Sequence, residues 1–236
     1  MSAPLAIRLD GVAKHYRTAG SAVRAIDGVD LEMEPGSNVA IVGPSGCGKS
    51  TLLGLLGGLE RPTRGRIWLD GIEISALSET DRSRVRRESI GFIFQSYDLL
   101  PFLTARENVE FQLALVGRAQ ESDRSDELIE RLELKDHEGK LPDQLSGGQR
   151  QRVGIARALA HDPRLILGDE PTGELDSETA KTVLDLMLEA QQEIGATLIV
   201  VTHDAGVAAR MDRVVTLRDG KVVDDRRKGA NGHTER

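Results

Sequence analysis

Positions 38–51 read NVAIVGPSGCGKST. An apolar stretch suited to a buried strand, Asn38 to Val42, runs straight into a loop carrying Gly43, Gly46 and Gly48. The loop leads into TLLGLLGGL, which reads as an apolar helix. Glycines let backbone N–H groups converge without Cβ obstruction, and a following helix adds free donors and the positive end of its dipole. Gly43, Pro44, Ser45, Gly46, Cys47, Gly48, Lys49, Ser50 and Thr51 fit G-x-x-x-x-G-K-[ST] in the strand–loop–helix context that pattern requires. Such a loop is expected to cradle phosphates, with Lys49 as a point charge on the β- and γ-phosphates and the Ser50 hydroxyl placed to ligate Mg2+. Cys47 reads as a small residue whose backbone N–H matters, and alkylating it is expected to block nucleotide access.

Further apolar runs span Ile90 to Phe94, Leu165 to Gly168, Thr197 to Val201 and Val214 to Leu217. They are near-continuous rather than alternating, as strands of a parallel sheet covered on both faces must be. Between them lie stripes at helical spacing, Val183, Leu184, Met187 and Leu188 in one and Val153, Ala156, Leu159 and Ala160 in the other. The expected fold is α/β, a P-loop NTPase (RecA-like) parallel-sheet core. Two regions depart from that alternation. Ala3 to Met33 reads as strand and turn, and Gly65 to Ile74 as a hairpin turning at Asp70-Gly71, which together predict an antiparallel β subdomain. Thr104 to Ala160 reads as almost all helix, an insertion between two core strands. The expected organisation is a single domain over 1–225, with core and β subdomain at 1–97 and 163–225 and a helical subdomain at 98–162. A polar tail, 226–236, is expected to be disordered.

Composition narrows the partners. Lys and Arg number 31 against 38 Asp and Glu, a formal net charge of −7, which gives no electrostatic footprint for nucleic acid. Aromatics at 3% argue against a stacking platform for single strands. One cysteine excludes an internal disulfide framework and suits a reducing compartment. No apolar run approaches the ~18 residues of a membrane span, and Met1 to Asp10 lacks the basic head and apolar stretch of a secretory signal. The basic run Asp81 to Arg87 (DRSRVRR) reads as a solvated helix face.

A second constellation bears carboxylates. LILGDE, Leu165 to Glu170, is an apolar strand ending in two acids, and strand alternation points Asp169 and Glu170 to different sides. Asp169 then holds Mg2+, and Glu170 serves as general base or orients the attacking water. Kinases, GTPases, helicases and transport ATPases share that pairing. LSGGQ at Leu145 to Gln149, followed by RQRVGIARAL, narrows the class. Ser146 is a natural N-cap, and Gly147 and Gly148 expose amides at a positive helix end, a second phosphate site in one chain.

With LSGGQ preceding LILGDE, the sequence resembles the ATP-binding cassette (ABC) family, over about residues 5 to 224. The resemblance implies further roles. Tyr16 lies where the family stacks an aromatic on adenine, and Gln95, in GFIFQ, matches the glutamine that reaches the Mg2+ or the water. Asp176, in GELD, matches the D-loop aspartate facing a partner subunit, and His203, in VVTHD, the switch histidine on the γ-phosphate. Ser146, Gly147, Gly148 and Gln149 then serve the partner's ATP in a head-to-tail homodimer. Gly168 and Glu174 depart from the commoner residues of the family, and Glu174 touches the fine geometry of the dimer contact.

The resemblance also implies a separate integral membrane permease as the recipient of the closing motion, no nucleic-acid partner, and a cytoplasmic location peripheral to the membrane. Tyr97, Leu99, Leu100, Pro101, Phe102 and Leu103 make a dense apolar patch, read either as a groove for a permease helix or as packing of the helical region on the core. GFIFQSYDLLPFLTARENVEF with DEPTGELD is similar to the subgroup serving lipoprotein release, macrolide export, peptide export and cell division. ATPases of polar amino-acid importers are the alternative, and DNA-repair ABC ATPases the alternative of another class. Few residues follow the last expected strand, so no C-terminal regulatory domain is expected.

Overall fold

The computed structural model describes residues 6–18, 21–228 and 234–235. In chain order, strands β1 (Ile7–Thr18), β2 (Ser21–Met33) and β3 (Asn38–Val42) precede helix α1 (Lys49–Leu56). A short pair, β4 (Arg64–Leu69) and β5 (Ile72–Glu73), comes before α2 (Glu79–Ser89) and β6 (Ile90–Phe94). Helices α3 (Ala105–Leu115), α4 (Ser122–Arg131) and α5 (Gly147–Leu159) lead to β7 (Leu165–Asp169). Then come α6 (Ser177–Ile194), β8 (Thr197–Val201), α7 (Ala205–Arg210), β9 (Arg213–Arg218), β10 (Lys221–Lys228) and β11 (Thr234–Glu235). The chain divides into two compact units, one of Met1–Arg86 with Thr197–Arg236, the other of Arg87–Ala196.

The first unit carries two kinds of sheet. An antiparallel one has the order β2-β1-β4-β5, and Asp70 (φ 46) with Gly71 (φ 80) makes its expected tight turn. Beside it the order is β11-β10-β9-β3-β8, with β3 parallel to both β8 and β9. Every residue of β8 is buried, and Val39, Ala40 and Ile41 of β3 have no exposed surface. Each fully buried Val, Ile or Leu there contributes about 1.5–3 kcal/mol, which is why these runs carry no polar alternation. Strand β10 continues through Arg226 and Arg227 to Lys228, and β11 pairs with it, so ordered strand extends past the expected start of the tail; residues 229–233 and 236 lie outside the described residues.

The basic run on α2 is less solvated than its composition suggests. Arg82 is 5% exposed and paired with Glu79, and Arg86 donates to the Gly58 carbonyl at 2.7 Å. Both stems lie against Gly58, where a Cβ would stand 3.1 Å from Arg82 Cγ and 3.9 Å from Arg86 Cγ, while the Glu79 carboxylate answers the charge.

In the second unit β6 and β7 pair in parallel, Ile90 opposite Leu165 and Phe94 opposite Asp169. Helix α5 approaches β6 so closely that a Cβ on Gly91 would stand 2.3 Å from the Ala158 carbonyl oxygen. Thr104 and Glu107 form a capping box that starts α3. The fully buried Asn108 then pins the preceding loop, accepting from the Leu100 amide at 2.8 Å and donating to the Leu100, Leu103 and Thr104 carbonyls at 3.2, 3.0 and 3.0 Å.

Candidate nucleotide site

In the first unit the phosphate loop lies between β3 and α1, at the carboxyl end of a parallel strand, where α/β folds place ligands. Gly48 caps α1 without a side-chain bond, which leaves the first amides of the helix directed at the loop. Its φ of 108 excludes ordinary side chains, and a Cβ there would stand 2.2 Å from the Ala25 carbonyl oxygen. A Cβ on Gly43 would meet the Leu217 carbonyl oxygen at 2.2 Å, whereas one on Gly46 meets nothing within 4 Å. Two glycines therefore admit supporting backbone, and the third borders open space. Lys49 arches over the loop, its Nζ donating to the Gly43 and Pro44 carbonyls at 3.0 and 3.2 Å. Amide donors, a helix N-terminus and an ammonium group are a donor set for a polyphosphate.

Cys47 packs against the loop's own backbone. Its side chain is buried, with Sγ 2.7 Å from the position of a Gly43 Cβ, and its carbonyl accepts from the Gly220 amide at 3.0 Å. The thiol faces inward beneath the loop, so an alkylating reagent has to open the loop before it can block anything.

Tyr16 and His203 belong to the same unit. The Tyr16 hydroxyl reaches both oxygens of Glu60 at 2.6 and 2.5 Å, and the Lys14 ammonium lies 5.1 Å from the ring centroid. Burial and the Glu60 carboxylate push the phenol's pKa up, while the Thr51 hydroxyl opposes them. Lys14 and Glu60 thus orient the ring; Lys14, two residues before Tyr16 and on the same strand face, was the available signal for this. His203 is exposed and follows β8. The Thr202 amide donates to the Ile41 carbonyl at 3.1 Å, so the ends of β3 and β8 stand side by side.

The second unit gathers Gln95, LSGGQ, Asp169, Glu170 and Asp176. Strand β7 stops at Asp169, and Glu170 adopts a left-handed φ of 47. Strand alternation therefore ends before Glu170, which stands in a turn. The conformation costs about 1–2 kcal/mol in a non-glycine residue, and such strain gathers at functional sites. Gln95 follows β6 at the level of Glu170, and its Nε2 lies 3.4 Å from where a Gly173 Cβ would be.

Ser146 caps α5 as expected, in a reciprocal box with Gln149: the Ser146 amide donates to Oε1 at 2.9 Å and the Gln149 amide to Oγ at 3.3 Å. Nε2 of Gln149 lies 2.9 Å from His137 Nε2, so this side chain braces the turn. The glycines have packing reasons as well: a Cβ on Gly147 would stand 3.1 Å from the Tyr97 hydroxyl, and one on Gly148 2.5 Å from Thr179 Cγ2. Asp176 caps α6, accepting from the Glu178 and Thr179 amides at 3.2 and 3.1 Å. The Thr179 hydroxyl and these amides hold its carboxyl below the usual range. The apolar patch divides, with Tyr97 buried and Phe102 73% exposed on the loop braced by Asn108. Arg157, which carried no motif in the sequence, holds the backbone next to Gln95.

A strand–glycine loop–helix with an acid-ended parallel strand defines a P-loop nucleotide-binding protein. A family model described as ABC transporter matches residues 26–173. The lipoprotein-releasing system ATP-binding protein LolD of Legionella pneumophila (strain Paris) is 46% identical over 211 residues, 89% of this chain and 93% of that protein. The macrolide export ATP-binding/permease protein MacB of Rhodopseudomonas palustris (strain HaA2) is 49% identical over 222 residues, 93% of this chain and 34% of that protein. A dimeric post-hydrolysis structure of the ATP-binding cassette MJ0796, bound to ADP and Pi, superposes with a TM-score of 0.86 at 39% identity, covering 94% of this chain and 98% of that one. The chain belongs to the ABC transporter family and is an ATP-binding cassette ATPase.

Proposed function

We propose that this cassette powers a separate membrane permease of the lipoprotein-releasing or macrolide-export kind, from the cytoplasmic face of the membrane. Phe102 carries this reading: a large aromatic, 73% exposed, held on a loop that a fully buried asparagine fixes from beneath. A rigid apolar projection suits a short helix of another protein. No helix among the described residues is long and apolar enough to cross a membrane.

In this reading the amides of residues 43–51 and Lys49 hold the phosphates of ATP, and Tyr16 stacks on the adenine. Ser50, Asp169 and Gln95 supply hard oxygen donors suited to Mg2+, which when bound neutralises phosphate charge. Glu170, which stands in a left-handed turn, accepts the proton of the attacking water, and His203 touches the γ-phosphate. Ser146, Gly147, Gly148, Gln149 and Asp176 face the nucleotide of a second copy in a head-to-tail homodimer. ATP closes that pair and hydrolysis opens it, a rigid-body motion delivered to the permease.

The test is a pull-down from native membranes with Glu170→Gln and ATP, a variant expected to bind ATP and stall closed. Recovery of one polytopic protein with a large extracytoplasmic domain supports the reading. A solute permease without such a domain assigns the cassette to an importer, and a purely soluble partner removes it from transport.

A further inference from the structure

Immediately after Gln95 the backbone turns through two consecutive left-handed residues that are not glycine, Tyr97 (φ 65) and Asp98 (φ 45). Single left-handed residues with side chains are uncommon, and two in succession persist only where surrounding structure over-determines them. The Asp98 amide closes back onto the Ser96 carbonyl at 2.7 Å, and the Ser96 hydroxyl onto the Asp98 carboxylate at 2.8 Å. Those contacts are local. The long-range restraint comes from α5, the helix that opens with the LSGGQ turn. Arg157 spends one fork on this backbone, Nη1 donating to the Asp98 carbonyl at 2.6 Å and Nη2 to the Tyr97 carbonyl at 3.1 Å.

The other end of α5 is tied to the same turn. The Arg150 guanidinium lies 5.0 Å from the Tyr97 ring centroid, and its Nη1 donates to the Leu145 carbonyl at 2.8 Å. The Tyr97 ring is buried and its hydroxyl lies beneath Gly147. The strained turn after Gln95 and the LSGGQ turn are therefore both tied to one helix.

We propose that Arg157 is a positioning residue for ATP hydrolysis: by bidentate capture of the Tyr97 and Asp98 carbonyls it maintains the left-handed turn that sets Gln95, and locks that setting to the LSGGQ turn. A planar fork with two parallel donors suits two adjacent carbonyls, and an ammonium does not match it. The inference rests on the role proposed above for Gln95. It makes Arg157 act on turnover through the backbone, with no contact to nucleotide.

The test compares steady-state ATPase kinetics, thermal unfolding and nucleotide binding for Arg157→Met, Arg157→Lys, Gln95→Ala and the double variant Arg157→Met/Asp98→Gly. The expected result for Arg157→Met is a kcat about tenfold lower, with KM for ATP within about twofold of the parent and an unfolding midpoint within a few degrees. Arg157→Lys, which keeps stem and charge and serves should the methionine variant not fold, is expected to lose at least about threefold in kcat. Glycine at 98 removes the left-handed penalty, so the double variant is expected to regain at least about threefold over Arg157→Met. An unchanged kcat in both single variants, a loss of turnover matched by loss of folded protein, or no rescue by Asp98→Gly overturns the proposal. Gln95→Ala distinguishes the two failures: wild-type turnover there refutes the role of Gln95, whereas a loss there with unaltered Arg157 variants refutes only the positioning by Arg157.

Discussion

Gly148→Ala separates two reasons for a glycine in the LSGGQ turn. Gly148 is the second residue of α5, and its φ is not positive, so the backbone itself accepts alanine. Intrinsic helix preference favours the change by roughly 0.8–1 kcal/mol. The new methyl, however, would stand 2.5 Å from Thr179 Cγ2, where ordinary carbon contacts lie at about 3.5–4.0 Å. Relief requires a shift of about 1 Å in a β-branched side chain whose amide is already committed to the Asp176 cap. Overpacking of this kind costs about 1–3 kcal/mol, so the net destabilisation is about 0–2 kcal/mol. For a chain of this length about 0.5 kcal/mol moves the unfolding midpoint by roughly one degree. Thr179→Ser removes the clashing methyl and keeps the hydroxyl that faces Asp176. A double-mutant cycle of Gly148→Ala and Thr179→Ser, read by urea unfolding, is expected to show favourable coupling of about 1–2 kcal/mol. Coupling below about 0.5 kcal/mol would refute the packing argument. ATP turnover of the same four proteins then reports on the second reason. If the double variant recovers stability and turnover together, packing alone explains the glycine; recovered stability with turnover still depressed assigns the residue to nucleotide approach as well.

Lys49→Ala is expected to abolish ATP binding in equilibrium dialysis, and normal affinity would remove the phosphate-loop assignment. Burial pushes the His161 imidazole down to about 4, so the folded state resists its protonation. The sign follows from the unfolded value near 6.5: the contribution is complete above that pH and is lost as pH falls toward 4, by up to about 3 kcal/mol. His161→Leu should therefore flatten unfolding free energy between pH 6.5 and 4, and an unchanged slope would place the acid sensitivity elsewhere.

Much of this molecule was legible in one dimension because its signals are local. The runs at Asn38 to Val42, Ile90 to Phe94 and Thr197 to Val201 are strands with those same bounds, since a strand buried on both faces leaves no polar position to blur its ends. Asp70-Gly71 announced its hairpin, and Ser146 its helix start, because each acts on backbone within a few residues. The family followed from motifs whose order and spacing are themselves sequence.

Tertiary structure alone decided how each motif is held. Gly43 and Gly48 are glycines partly because the carbonyls of Leu217 and Ala25 press against them from distant strands. The Cys47 thiol is buried, and Arg82 is buried although its neighbours in sequence are charged. Glu170 stands in a left-handed turn that a period-of-two argument does not contain, because alternation ends where the strand ends. Arg157 carries no motif of its own, and its two carbonyl partners lie 60 and 59 residues away. Local propensity and motif spacing specify which chemistry a chain carries. Long-range backbone contacts specify where that chemistry points, because they exist only once distant segments have been brought within a few ångströms of each other.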